Sequence, residues 1–272
     1  MAAPRSLPLL HNLGSINLDH VYRVPHLVTP GETLASHGYE VGLGGKGANQ
    51  SLALARAGGR VCHWGRLGRQ DAWARDTLAR AGVDVSHLSL VDAPSGHAII
   101  QVDDAGENAI ILYPGANHGF GEADFQALVD AAAPGDWLLL QNECNGLAQL
   151  LALAAERQIR VAFNPAPMTD AVGELPLSAC RLLFVNRTEA AGLAGLPVDS
   201  PPDALPERGP NRCRSWCHRT GWRGNPHPAG RAQLPSCPDP LLRFGSLGRQ
   251  DLVVGRHRGC SGGCCHRRPV RH

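Results

Sequence analysis

Between residue 9 and about residue 200, short apolar runs alternate with stretches of helical period, and this alternation leaves the chain few architectures. Strands that follow one another through helices pair in parallel, so the expected fold is α/β, an open sheet flanked by helices. Strands are predicted at Leu9 to Leu13, Val61 to Trp64, 137–141, 159–163 and 182–185. Helices are predicted at 46–57, 71–81, 122–132, 146–157 and from about 187. Gly58-Gly59 and Gly82 close the first two, as glycines past a helix commonly do. Segments 97–103 and 108–113 read as a strand pair joined through Asp103-Asp104-Ala105-Gly106. Ligands of open α/β sheets lie at the carboxyl ends of the strands. Asn17, Asp19, Glu143, Asn164 and Asn186 each stand just past a predicted strand and are the first polar residues to inspect.

Near residue 204 the alternation stops and the composition changes with it. Residues 1–204 carry 13 Lys and Arg against 21 acids, a net charge of −8. Residues 205–272 carry the other 13 against only Glu207, Asp239 and Asp251, a net of +10, and contain eight prolines. Cys62, Cys144 and Cys180 are spread through the first part, whereas Cys213, Cys217, Cys237, Cys260, Cys264 and Cys265 crowd into the second. Such asymmetry marks a different kind of segment. No apolar run reaches the roughly 18 residues of a membrane span. The N-terminus lacks the apolar core and cleavage site of a signal peptide, so a cytoplasmic location is expected.

Gly42-Leu43-Gly44-Gly45-Lys46-Gly47 is the densest glycine cluster of the acidic part, and it opens a helix. Free N–H groups and the helix dipole there favour an anionic or polyhydroxyl ligand. The string formally matches the dinucleotide fingerprint, but the strand ending at Trp64-Gly65-Arg66 lacks the acid that would hold a ribose of such a cofactor. Nor is it a phosphate-binding P-loop, because Gly47 stands where Ser or Thr is needed. Close helix–sheet packing is the plainer explanation of the glycines. Lys46 argues for a ligand, as it is the single lysine of a chain with 25 arginines. Asn17 and Asp19 could instead form an Asx-type turn. Asn186 and Glu189 have capping-box spacing and alternatively suit a water-mediated Mg²⁺ site. Glu143 could cap a helix. His11, His20, His37, His63, His97 and His118 show no metal-ligand spacing and read as surface or packing residues.

Taken together, several segments resemble the ribokinase branch of the PfkB carbohydrate kinases, in family order over roughly residues 9–200. They are Gly14-Ser15-Ile16-Asn17-Leu18-Asp19-His20, Pro30-Gly31-Glu32-Thr33, Gly44-Gly45-Lys46-Gly47-Ala48-Asn49-Gln50, Gly106-Glu107-Asn108, Gly115-Ala116-Asn117, Asn164-Pro165-Ala166-Pro167 and Asn186-Arg187-Thr188-Glu189. The resemblance implies a small β lid from about 21–42 and 97–114 that covers a sugar and can form a homodimer. It implies that Asn17, Leu18, Asp19, Gly45, Lys46, Gly47, Ala48, Asn49 and Glu143 form the sugar site, with ribose favoured by Lys46 to Asn49. It implies that Asn186 meets ATP and, with Glu189, orients Mg²⁺, and the family also admits a monovalent cation. The implied reaction is transfer of the ATP γ-phosphoryl group to the ribose 5-hydroxyl, which rests mainly on positioning and charge neutralisation. Nucleic acid and membrane are not expected partners.

The resemblance stops near residue 200. The family's later motif, Asp-Thr-x-Gly-Ala-Gly-Asp, supplies an anion hole and the base that takes the sugar proton. The nearest string, Gly245-Ser246-Leu247-Gly248-Arg249-Gln250-Asp251, has the wrong spacing, so no catalytic residue is assigned. Cys213, Cys217, His218 and Cys260, Cys264, Cys265, His266 offer zinc ligands, but not at the usual C-x₂-C spacing. A disulfide-bearing tail conflicts with a cytoplasmic enzyme. The preferred reading is that 205–272 is the family's C-terminal half in a shifted frame. Glycine and cysteine codons, read one nucleotide over, become Ala, Val, Gly or Asp codons. The segment is therefore expected to be irregular or disordered and the kinase catalytically incomplete.

Overall fold

The computed structural model describes residues 8–198 and, further on, the backbone of 216–218. In chain order the elements are β1 (Leu9–Leu13), β2 (Asn17–Arg23), β3 (Gly38–Gly44), α1 (Lys46–Arg56), β4 (Arg60–Gly68), α2 (Ala72–Arg80), β5 (Leu88–Val91), β6 (Gly96–Val102) and β7 (Asn108–Tyr113). They continue with α3 (Glu122–Ala131), β8 (Trp137–Gln141), α4 (Leu147–Glu156), β9 (Arg160–Asn164), β10 (Cys180–Val185), α5 (Arg187–Ala194) and β11 (Trp216–His218). Apart from that last strand, the expectations for 205–272 fall outside the described residues.

Seven strands form one parallel sheet in the order β11-β10-β9-β8-β1-β4-β5. The strand run Leu138-Leu139-Leu140 explains why it must be covered twice. Successive side chains of a strand point to opposite faces, and all three leucines are buried. Leu138 and Leu140 join Phe125, Leu128, Leu150, Leu151 and Ala191 under α3, α4 and α5. Leu139 joins Ala48, Leu52, Ala74 and Leu78 under α1 and α2. A sheet buried on both faces needs apolar strands without polar alternation. Each fully buried leucine adds about 1.5–3 kcal/mol to the fold. Helix α1 has no proline or β-branched residue to interrupt it, and past its end Gly58 sits at φ 81, where an L side chain would be strained.

The lid is a separate four-stranded sheet, ordered β3-β2-β6-β7. It starts at Asn17 rather than near residue 21, so Asn17 and Asp19 lie on a lid strand and not in an Asx turn. β2 is antiparallel to β3 and parallel to β6, which is antiparallel to β7. Among the described residues, no helix is long and apolar enough to cross a membrane.

Candidate active site

The site begins where backbone meets backbone. A Cβ added at Gly47 would lie 2.4 Å from Gly14 C, and one at Gly14 would lie 2.6 Å from Gly47 Cα. The first turn of α1 therefore rests directly on the turn between β1 and β2. Gly45, at φ 90, brings the chain into the helix, and a side chain there would strike Ser15 O at 2.7 Å. The packing role of the glycines is thus real, and it is what brings the chemistry together.

Glu143, just past β8, points its carboxylate at that helix start. Its Oε2 accepts from Lys46 N at 3.0 Å and from the Ser15 hydroxyl, and its Oε1 accepts from Lys46 Nζ at 2.6 Å. Gly47 N donates to Ser15 Oγ at 3.2 Å, and Ala48 N to Ser15 O at 2.9 Å. The helix N-terminus expected to offer free N–H groups to a ligand is therefore already satisfied, with the Glu143 carboxylate as its anion. Lys46 keeps a third of its side chain exposed, at 33%, while its ammonium is held by Glu143.

Asn17 and Asp19 lie two residues apart on β2 and share its face. The Asp19 carboxylate sits over Gly44, where a Cβ would meet Oδ2 at 2.2 Å. Burial pushes its pKa up, the Glu143 carboxylate adds to the rise, and His20 and Lys46 oppose it. Asn49, one turn after Lys46 on α1, is exposed, and its N–H donates to Gly45 O at 3.0 Å. Asn17, Asp19, Gly45, Lys46 and Glu143 are thus brought together, and Asn49 follows one helical turn on. Leu18 and Ala48 are not: both side chains are buried in the apolar layer with Ile16 and Leu52, and the Ala48 N–H is taken by Ser15. Gly47 is buried with its N–H engaged, so its role is the close packing already described.

Behind the site lies a buried polar scaffold. The His63 Nε2–H donates to Gly14 O at 3.2 Å, so Nδ1 accepts from the Ser51 hydroxyl at 2.8 Å. Asn12 Nδ2 donates to Ser51 Oγ and to Gly47 O, both at 2.8 Å. Full burial lowers the His63 pKa to about 4, so the ring stays neutral in this role. Gln141 Nε2 donates to Asn12 Oδ1 at 3.0 Å and to Gln50 Oε1 at 2.6 Å, and Asn164 Nδ2 donates to Phe184 O at 2.8 Å. Asn164 therefore ties β9 to β10. Ser15 was not singled out from sequence, although it touches Glu143 and Gly47 at once. Burial pushes the Cys62 thiol up to about 12 and raises Cys144 as well, which leaves neither as a nucleophile.

Asn186 and Glu189 meet at the start of α5. Asn186 Oδ1 accepts from Glu189 N at 2.8 Å, while Glu189 accepts from Asn186 N at 2.9 Å and from Asn186 Nδ2 at 2.8 Å. This is a capping box. Burial raises the Glu189 pKa. Among the described residues, no group of three or more His, Cys, Asp and Glu is placed to hold a metal. Both Glu189 oxygens and the Asn186 amide are engaged with each other, so a Mg²⁺ here would be held through water and not by direct ligation.

A model of the pfkB family carbohydrate kinases matches residues 9–209, and the chain belongs to that family. A ribokinase of Haemophilus influenzae is 36% identical over 198 residues, covering 71% of this chain and 64% of that protein. A deoxyribokinase of Salmonella typhi is 30% identical over 197 residues, covering 69% of this chain and 63% of that one. The crystal structure of a Cryptococcus neoformans ribokinase in complex with ADP, 34% identical, matches with a TM-score of 0.59 over 74% of this chain and 64% of that chain. The chain spans less than two thirds of the length of these relatives.

Proposed function

We propose that the protein is built to transfer the γ-phosphoryl group of ATP to the 5-hydroxyl of D-ribose, and that this chain carries the sugar-binding part of that machinery without its base. The observation that carries the reading is the convergence of Asn17 and Asp19 from β2, Lys46 from α1 and Glu143 from the end of β8 on one cleft. Two carboxylates and an ammonium held by buried neighbours suit a ligand with several hydroxyls, each able to donate and accept at once. The residues Lys46 to Asn49 favour ribose over fructose, adenosine or pseudouridine, and the deoxyribokinase among the relatives makes 2-deoxyribose the alternative to test.

In the proposed reaction the sugar oxygen forms a bond to the γ-phosphorus as the bridging P–O bond to ADP breaks, and the hydroxyl proton leaves for a base. Residues 205–272 lack the motif whose last Asp would accept it. Asn186 and Glu189 would hold a Mg²⁺–nucleotide through water, the ion neutralising charge on the phosphoryl oxygens. Lys46, Glu143 and Asp19 orient the sugar, and the lid excludes water from it. We further propose that 205–272 is translated in a shifted frame, a point that sequencing the DNA around codons 195–215 decides, and that two lids pair in a homodimer.

Titration calorimetry of the 272-residue chain with ribose and 2-deoxyribose, beside ribose-dependent ADP production, tests the reading. Ribose binding without turnover is expected, and 2-deoxyribose binding that exceeds it would move the reading to the deoxy sugar. Turnover would refute the incompleteness, and binding of neither sugar would sink the substrate.

A further inference from the structure

The motif Gly115-Ala116-Asn117 lies where the second lid hairpin returns to the body, and its asparagine is 1% exposed. Its carboxamide is fixed by two backbone groups of known polarity. Asn117 Oδ1 accepts from Ile16 N at 2.9 Å, so it must be the oxygen, and Nδ2 donates to Ile16 O at 3.2 Å. The remaining hydrogen of Nδ2 goes to Asn17 Oδ1 at 2.7 Å. Because Asn117 can present only a donor there, the facing atom of Asn17 must be its oxygen. The space for this pair exists because residue 96 is glycine. A Cβ there would lie 2.1 Å from Asn117 Nδ2 and 2.5 Å from Asn17 Oδ1.

We propose that Asn117 is a positioning residue that sets the polarity of the Asn17 amide, so that only N–H donors face the bound sugar. The proposal rests on the sugar-binding reading of Asn17 and Asp19 above. A hydroxyl over β2 between these two residues has one hydrogen. With Asn17 donating, the hydroxyl accepts from Asn17 and gives its hydrogen to the Asp19 carboxylate. With the amide reversed, one hydrogen would face two acceptors, and one buried acceptor would go unmet. Asn117 therefore acts through Asn17 and does not touch the ligand.

Asn117→Asp tests this, because a carboxylate still accepts from Ile16 N but cannot donate to Asn17 Oδ1. Ribose affinity is measured by calorimetry in Asn117→Asp, Asn17→Ala and the double variant. A loss of roughly tenfold in the single variant, with no further loss on the Asn17→Ala background, is expected. Equal losses on both backgrounds overturn the proposal. The ligand-free protein supplies an independent arm through the ¹⁵N side-chain amide signals of Asn17, assigned by their disappearance in Asn17→Ala. Asn117→Asp should shift those signals as the NH₂ group turns toward the new carboxylate, and unchanged signals overturn the proposal. If the parent chain binds no ribose, the substrate reading fails and the amide signals alone decide the polarity. Should Asn117→Asp not fold, Asn117→Ser, too short to reach Asn17, takes its place with the same two readouts.

Discussion

Asp19 faces a cleft that already holds the Glu143 carboxylate, and burial with that neighbour lifts its pKa. The folded chain therefore grips the Asp19 proton more tightly than the unfolded chain does. Stability from this group is complete below the ordinary aspartate range, about pH 4, and is lost as the pH rises through the raised value. Asp19→Asn, which never ionises, should have a higher urea midpoint than the parent at pH 7 and the same midpoint well below pH 4. It should also bind ribose at least tenfold more weakly, since a hydrogen bond to a charged group is lost. Coincident midpoints at pH 7 would show that the charge is not felt. Midpoints that separate as expected would make the sugar site a place where the fold gives up stability to hold a buried acid.

At the scale of elements, the contact between α1 and the β1–β2 turn decides the geometry of everything else in the cleft. Gly47→Ala would put a methyl 2.4–2.5 Å from the backbone of Gly14 and Ser15. No flexible side chain can yield there, so a loss of roughly 1–3 kcal/mol is expected in denaturant unfolding, together with ribose binding. Unchanged ribose affinity would show that the helix start can shift without cost to the site. The sequence made α1 and the buried strands visible because both faces of the main sheet demand apolar runs. It hid β2 and β3, whose residues are largely half-exposed and mix Gly, Tyr, Glu and Arg without a clear period. β4 looked short because Gly65 and Arg66 interrupt its apolar run, yet a Cβ at Gly65 would strike His63 and Ile16 at 2.9 Å. Ser15 could not be singled out at all. Its partner Glu143 lies 128 residues away, and only the pairing of β8 beside β1 brings them together.

Across the whole molecule, the lid carries an apolar surface that the body does not cover. On one face of it, by the strand register, Tyr39, Val41, Ile99, Ile111 and Tyr113 are between 40% and 68% exposed, while Ile110 and Leu112 lie on the other face with Asp19. An exposed apolar face of this kind is the surface that the proposed dimer would cover. In the proposed lid-to-lid dimer, Ile111→Arg should convert the protein to a monomer in sedimentation equilibrium while its circular dichroism is unchanged. A parent chain that is monomeric in the micromolar range would remove the proposal. The sheet order has a consequence of its own. From β8 onward each strand lies beside its immediate predecessor, β9 on β8, β10 on β9 and β11 on β10. Growth is thus laid down on one border, and each addition leaves the earlier registers intact. Every side chain assigned to the sugar wall has been translated once Glu143 is made, about half way along the chain. A nascent chain thus carries every residue proposed for the sugar wall before the last strands of the border are made.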